Sequence, residues 1–571
     1  MLDIDYVEGL ELTGKANIGK AEQVDCKLFV RSKSFPQLKI ENSIHRLDLA
    51  DYFRNPPAII KFTSLWHSFT LYNNEFSGEG FSPQYIVEGA ESEIVAGVEI
   101  SLSGLYTFFD GRSNFEVKES YIGKSINDRF VNTQFNIDDD LYCFSVEHDY
   151  SFRKNIDTTT LIEDAYVKIW KPTGKLYLEE IEEIIKKTRI LFSLLLGFDL
   201  SIKKTWLINS EGVRSNSFYF RAASKSGQPF EQPHECFIYS ADLLTEEAWV
   251  KILNSTFNDN MSNSITEFWV RLVSMFSYKG FWEYEILGVV SLLDAYSNSH
   301  HKMKNEKKIS AHAFKKLKRQ MKEILTTYKG SLPLNDKYST ACEVIDNIIL
   351  QVGYIKNTNA QDFKLKLKFL INNISTNIQN LLDFKSDDFE MIIKIRNSAA
   401  HGSPIEESIM QNIQRAMIVK EKIKFLLLYL FFKEMGFSDN SFVRLCERTF
   451  NKIKLGARLD EFTLSVVFGN GVALNVTPKN LVEAKNSTRM NIPIIYHVKS
   501  DSFEINNTHL NEVVESIYTE NRGRYVDVVT FIYSMYRYEG YFSVEHLPHV
   551  FLCSNDERIE IYGVFLVKLN D

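Results

Sequence analysis

Arg396, Asn397 and His401 are the residues of this chain best suited to act together in a reaction, and they lie within Lys394 to Pro404. Arginine stays charged and presents a planar fork that matches phosphoryl oxygens. Histidine titrates near neutral pH and can serve as base or acid. The asparagine amide can orient either the imidazole or a phosphate. The set suits RNA cleavage by the ribose 2′-hydroxyl, which needs a base for the attacking proton, an acid for the leaving 5′-oxygen and a cation for the phosphorane. The spacing alone is common, because 21 arginines, three allowed spacings and 12 histidines in 571 residues give roughly one chance match. The setting adds weight, since the segment ends an amphipathic pattern and Gly402-Ser403-Pro404 follows it. The alternative stays open that Arg396 bridges a helix end and that His401 is a C-terminal histidine favoured by the helix dipole.

The elements that must position these residues are helical. Asp387 as N-cap with Glu390 three later starts a helix whose apolar members are Phe389, Ile392, Ile393 and Ile395. From about Ile265 to Phe437 the apolar period is helical throughout, with segments at Phe281 to Tyr296, Phe363 to Leu382 and Ile405 to Glu434, and short loops predict an antiparallel bundle. Before it, to about residue 225, short runs rich in β-branched and aromatic residues alternate with Gly, Asn, Asp and Pro. Cys26 to Arg31, Ala58 to Thr63, Gln84 to Ala90, Glu93 to Leu102, Leu141 to His148 and Ala165 to Lys171 are strand candidates, predicting an antiparallel sandwich or barrel. One helix, Tyr177 to Leu196, interrupts them, acidic early and basic later. After about Phe450 the pattern is mixed. Thr463 to Phe468 and Val472 to Val476 flank Gly469-Asn470-Gly471 as a hairpin signal, His509 to Thr519 and Val526 to Tyr538 read as helices, and Ile559 to Leu569 as a final strand pair.

The Arg396-Asn397 to His401-Gly402 segment, the earlier helix Tyr284 to Tyr296 and the long apolar helix after the motif together resemble the HEPN ribonuclease domain, and more narrowly the ApeA-like HEPN proteins of bacterial antiphage defence. The resemblance covers roughly residues 265 to 437. The β-rich region before it fits the same arrangement in shape; the last 120 or so residues are not covered. It implies a metal-independent endoribonuclease with Arg396, Asn397 and His401 as catalytic residues, acting on cellular RNA, with tRNA favoured, and making 2′,3′-cyclic phosphate and 5′-hydroxyl ends. One chain supplies a single Arg and His here, so acid and base at one phosphate are most simply obtained by pairing two chains about a twofold axis. A homodimer through the HEPN domain is therefore expected, with a higher oligomer left open.

The remaining properties set bounds. A net charge of -8 excludes a chain that coats nucleic acid through overall charge, so RNA contact must come from a local patch. One lies at Lys302, Lys304, Lys307, Lys308, Lys315, Lys316, Lys318, Arg319 and Lys322, opposed before Glu323 by Glu306 alone; a solvated helix face would carry the same charges. Six scattered cysteines, Cys26, Cys143, Cys236, Cys342, Cys446 and Cys553, read as reduced thiols. His234 and Cys236 lack a second ligand pair, Asp138-Asp139-Asp140 reads as a polar turn, and the aromatic group Tyr533, Tyr536, Tyr538 and Tyr541 as packing. No metal or other cofactor is implied. The start Met1-Leu2-Asp3-Ile4-Asp5 lacks signal-peptide features and the longest apolar run, Phe425 to Phe432, is eight residues, so a cytoplasmic protein without a membrane partner is expected.

The expected fold class is α+β and multidomain: a β-rich, sandwich- or barrel-like sensor at 1–225, a linker at 226–264, an all-α HEPN bundle at 265–440 and a small α+β domain at 441–571. The leading function is a defence ribonuclease held inactive until the first domain meets a phage-derived activator. The alternatives are a non-catalytic HEPN module that binds RNA, nucleotide or protein, and a sensor or scaffold whose helices only dimerise.

Overall fold

The computed structural model describes residues 4–6, 8–31, 35–41, 52, 54–89, 94–109, 115–118, 121–124, 129–154, 159–222, 229–239, 245–258, 263–300, 309–333, 339–355, 363–401, 404–469, 471–486, 493–498, 500, 502–505, 541–554 and 557–569. The architecture is α+β, with a β-rich first region, a helical middle and a small sheet at the end.

Alternation of buried and exposed residues builds the first region. In β2 (Ala21–Val30), Val24, Cys26, Leu28 and Val30 point inward between exposed neighbours. With β1 (Leu10–Ile18), β3 (Gln37–Ile40), β4 (Ile59–Ser64), β5 (Ser68–Phe76) and β6 (Gly80–Glu88), it forms the ring β6-β3-β2-β1-β4-β5, closed by pairing of β5 with β6. The expected barrel is thus six-stranded. Beyond β6 the same hydrogen-bonded sheet continues through β7 (Gly97–Leu102), β8 (Arg129–Ile137), β9 (Asp140–Lys154), β10 (Thr159–Trp170), β11 (Ile202–Ile208) and β12 (Arg214–Phe220), in the order β12-β11-β7-β10-β9-β8. Asp138 and Asp139 make the β8–β9 turn, Ile137 facing Asp140 and Asp138 at φ +51°, which is turn chemistry for this acidic run. Helix α1 (Leu178–Leu196) packs on this sheet, and Tyr85 of β6 donates to Glu182 at 2.7 Å.

The stretch 226–264, read from sequence as a linker, carries α2 (Glu246–Phe257). Its Trp249 is fully buried, 5.5 Å from the Phe144 ring of β9 and 5.9 Å from Phe192 of α1. After α3 (Asn263–Phe276) come α4 (Trp282–His300), α5 (Ala311–Ser331), α6 (Ser339–Tyr354), α7 (Phe363–Asn372), α8 (Thr376–Leu382), α9 (Ser386–His401) and α10 (Ile413–Glu434). The single periodic run Phe363 to Leu382 is two helices because Ser375 caps the second, accepting from the Ile378 backbone N–H. One continuous apolar core runs from Ile4 to Phe468 through both regions.

The last region has its own core on a mixed sheet, ordered β13 (Val472–Asn475), β16 (Tyr541–Ser554), β17 (Glu557–Leu569), β14 (Pro493–His497) and β15 (Ser502–Ile505). The hairpin expected around Gly469-Asn470-Gly471 does not form. Thr463–Phe468 is a π-helical turn and β13 pairs in parallel with β16. The glycines allow close approach instead: a Cβ on Gly471 would lie 3.0 Å from the Ser465 backbone, whose carbonyl accepts the Gly471 N–H at 2.8 Å. Ile559 to Leu569 is a single strand, paired with β16. The helices expected at His509 to Thr519 and Val526 to Tyr538 lie outside the described residues. Among the described residues no helix is long and apolar enough to cross a membrane.

Buried charge also organises the bundle. Glu285 of α4 receives Lys424 Nζ at 2.7 Å and Lys420 Nζ at 2.9 Å from α10, whose ammonium groups are nearly inaccessible. Burial pushes the Glu285 carboxyl up, but the two ammonium groups outweigh it and hold the acid below its ordinary range. A depressed acid contributes stability above its ordinary pKa of about 4.5 and loses it as pH falls through the folded value. Glu285→Gln should therefore lower the melting temperature at neutral pH, with the gap to wild type closing as pH falls below about 4.5 in a series of thermal melts. Trp249→Ala, which empties the junction of α1, α2 and β9, should cost about 3–5 kcal/mol in denaturant unfolding.

Candidate active site

Helix α9 carries the sequence-singled residues, and its start is fixed by charge. The Lys385 backbone N–H donates to Asp388 Oδ2 at 2.9 Å, while Arg415 of α10 grips the same carboxylate through Nε at 2.6 Å and Nη2 at 2.5 Å. Asp388 is wholly buried. The N-cap position falls at Lys385, two residues before the Asp387 expected, and Asp388 in the first turn reaches back to the Lys385 N–H as the carboxylate of a capping box does; Asp387 is exposed. Buried Ile392 and Ile395 then seat α9 against the bundle.

Arg396 lies one helical residue beyond Ile395 and is half-buried. Its Nε donates to Asp294 Oδ2 of α4 at 3.1 Å, and its Nη1 reaches Asn397 Oδ1 at 3.5 Å. Its guanidinium carbon stands 5.7 Å from the buried Phe363 ring of α7. Asp294 is itself held, accepting from Asn298 Nδ2 at 3.1 Å, and Asn298 Oδ1 accepts from Lys366 Nζ at 2.6 Å. A chain of polar contacts therefore runs from α9 through α4 to α7. Among the described residues, Nη2 of Arg396 makes no hydrogen bond.

Asn397 is exposed, and His401 is the last residue of α9, four positions on, so positions 397 and 401 share a helix face. Position 396 is about 100° away around the axis, which puts the arginine against α4 and α7 and the other two positions on the adjoining face. The His401 side chain lies outside the described residues.

A groove of about 450 Å³ runs between α7 and α9, walled by Leu367, Ile371, Phe389 and Ile393 and rimmed by Lys364, Lys368 and Glu390. Ile393 lies one turn before Arg396 and Asn397, so the groove opens towards them. Sequence reading missed Asp294, Asn298, Lys364, Lys366 and Lys368; the alternation Lys364, Lys366, Lys368 was the available signal.

The basic run is only partly described. Lys302, Lys304, Lys307 and Lys308 lie outside the described residues. Lys315 and Lys316 are exposed on α5, and Arg319 pairs with Glu323 at 3.4 Å. Lys318 turns inward, donating to the Gly353 carbonyl at 2.7 Å with its ammonium 5.0 Å from the Phe314 ring. Among the described residues, no group of three or more His, Cys, Asp or Glu could hold a metal ion. Burial pushes the Cys236 thiol far up, away from the thiolate a metal would need.

No curated protein and no solved structure matches the chain. A family model described as Apea-like HEPN matches residues 287–441, the span that holds α5 to α10 together with Asp294 and the whole Arg396-to-His401 segment. Residues 287–441 of this chain are an ApeA-like HEPN domain.

Proposed function

We propose that the chain is a metal-independent endoribonuclease of antiphage defence whose working site is composite, built from the α9 ends of two copies. Arg396 meets the negative charge of the phosphorane, His401 moves protons, and Asn397 orients the imidazole or the phosphate. One copy's histidine takes the 2′-hydroxyl proton, the other's protonates the departing 5′-oxygen, and the products carry a 2′,3′-cyclic phosphate and a 5′-hydroxyl. The observation that carries this reading is the anchored guanidinium. Asp294 at Nε and the Phe363 ring hold Arg396, while among the described residues its Nη2 makes no hydrogen bond and is left for a phosphate oxygen. Asp294 and Asn298 act as positioning residues.

The RNA path in this reading follows the Lys364 and Lys368 rim of the groove, with Lys315, Lys316 and Arg319 and the undescribed lysines 302, 304, 307 and 308 as further phosphate contacts. Transfer RNA as substrate and activation by a phage-derived signal at the β-rich region come from the family resemblance. The units in this reading are 1–225 as sensor, 226–264 as connection, 265–440 as nuclease and 441–571 as a C-terminal domain.

A second reading, a non-catalytic RNA-binding HEPN module, has one observation on its side: the Arg396–Asp294 ion pair is also what a purely structural arginine would make. Incubation of the purified chain with total tRNA in EDTA separates the two. Wild type should cut, Arg396→Ala and His401→Ala should each lose at least about 100-fold in rate, and Asp294→Asn should lose about 10- to 100-fold with RNA affinity little changed. RNA retained without cleavage by wild type would favour the second reading, and undiminished cutting by the first two variants would put the chemistry elsewhere.

A further inference from the structure

The groove between α7 and α9 leads into the candidate active site. On α9 it is walled by Ser386, Phe389, Glu390 and Ile393, and the next positions along that face, three and four residues past Ile393, are Arg396 and Asn397. At about 100° per residue, Phe389 and Arg396 fall in one row and Glu390 and Asn397 in another. The first row meets α7, since the Arg396 guanidinium stands 5.7 Å from the Phe363 ring; both members of the second are exposed. Helix α7 runs the opposite way, with Phe363 beside Arg396 at one end and Asn372 lining the groove with Ser386 at the other. From Lys364 to Asn372 the groove is about 12 Å long at the rise of a helix.

The floor is apolar and the rim charged. Leu367 and Ile371 are buried, Phe389 and Ile393 half-buried. Lys364, Lys368 and Glu390 are exposed, and among the described residues none of the three makes an ion pair; Lys394, one turn past Glu390, pairs with Glu406 at 3.0 Å instead. Two ammonium groups along one rim suit the phosphates on either side of a nucleotide. The groove, about 450 Å³, lies at the low end of the ~300–1,000 Å³ of small-ligand sites, which gives room for one nucleotide and not for paired strands. A carboxylate repels phosphate but accepts from the donors of a base. Guanine presents N1–H and its 2-amino group side by side, a match for the two oxygens of one carboxylate. Adenine, cytosine and uracil each offer one donor group there with an acceptor beside it.

We propose that this groove receives an unpaired guanine of the RNA, next to the phosphate held at Arg396. The base lies on the apolar floor against Phe389, Glu390 accepts from its N1–H and 2-amino group, and Lys364 and Lys368 take the flanking phosphates. In a duplex those two donors are engaged with cytosine, so the same contacts that choose guanine also choose single-stranded loops and ends. Glu390 and Asn397 share a row of α9, so the base edge and the reacting phosphate are met from one side of one helix. The proposal rests on the ribonuclease reading for RNA as its ligand and gives that site a base preference.

The test is fluorescence-anisotropy binding of the short labelled RNAs UUGUU, UUAUU, UUCUU and UUUUU to the full chain in EDTA, with His401→Ala as the background so that none is cut. UUGUU should bind about 10-fold or more tighter than the rest. Adding Glu390→Gln should bring it within about threefold of the other three, whose affinities should change little. Ile393→Trp, which fills the floor, should weaken UUGUU about 10-fold or more, and Lys368→Ala should weaken all four alike and lower the salt dependence. Glu390 is exposed, so Glu390→Gln should melt as its parent does and decides the matter even where Ile393→Trp fails to fold. Equal affinity for the four RNAs, a guanine preference that survives Glu390→Gln, or no binding of any RNA would each overturn the proposal. Guanine-selective binding by a chain whose wild type cuts no tRNA would uphold it and sink the ribonuclease reading, whereas cleavage of tRNA with no guanine preference among the short RNAs would do the reverse.

Discussion

The whole site hangs on ion pairs buried between three helices. Arg396 is aimed by Asp294 of α4, so its direction is only as fixed as α4 is relative to α9. Neither helix touches the other through charge alone; both are tied to α10, α4 by Glu285 against Lys420 and Lys424, and α9 by Asp388 against Arg415. Apolar packing specifies shape and volume but tolerates exchange among Leu, Ile and Phe of similar size. A charge taken out of water tolerates no slippage, since an unpaired partner costs several kcal/mol. The buried pairs thus set the register of α4, α9 and α10, and with it the direction of the guanidinium.

The same constraint bears on how the β-rich region relates to the helices. The apolar core is continuous from Ile4 to Phe468, and Trp249 of α2 is wedged between α1 and β9. Polar contacts cross the junction too: Arg189 of α1 holds Asp199, which also accepts from Ser277 just beyond α3 at 2.6 Å. Close-packed interiors transmit displacement instead of absorbing it. A change in the sheet that moves α1 must be met by α3 and hence by α4, which packs on α3 and carries Asp294. A displacement in the β-rich region therefore reaches the helical region without a hinge.

Much of this fold was legible in the sequence, for reasons that also explain the failures. Strands such as β2 and helices such as α9 have one buried face each, and their periods of two and 3.6 follow directly. The motif segment was legible because Arg396, Asn397 and His401 are near neighbours on one helix. Asp294 was not, because it stands 102 residues earlier and nothing local separates it from other exposed acids. The cap was misplaced by two residues because Asp387 and Asp388 are chemically equal until Arg415, supplied by another helix, holds the second in the first turn, where it reaches back to the Lys385 N–H. Gly469-Asn470-Gly471 misled because glycine serves turns and close approaches alike, and the neighbour that decides, the Ser465 backbone, is invisible to a pattern.

The basic run shows how a one-dimensional charge cluster divides when it folds. From Lys315 to Lys322 the sequence offers a cationic stretch interleaved with apolar residues, yet α5 sends its side chains in three directions. Lys318 and Lys329 bind α6, where they replace apolar contacts the thin α5–α6 arm cannot make and fix its register. Lys315, Arg319 and Lys322 fall on the side available to a polyanion. Leu317, Ile324 and Tyr328, interleaved with them in sequence, fall on the far side. Helical geometry alone thus separates a basic side of this helix from an apolar one.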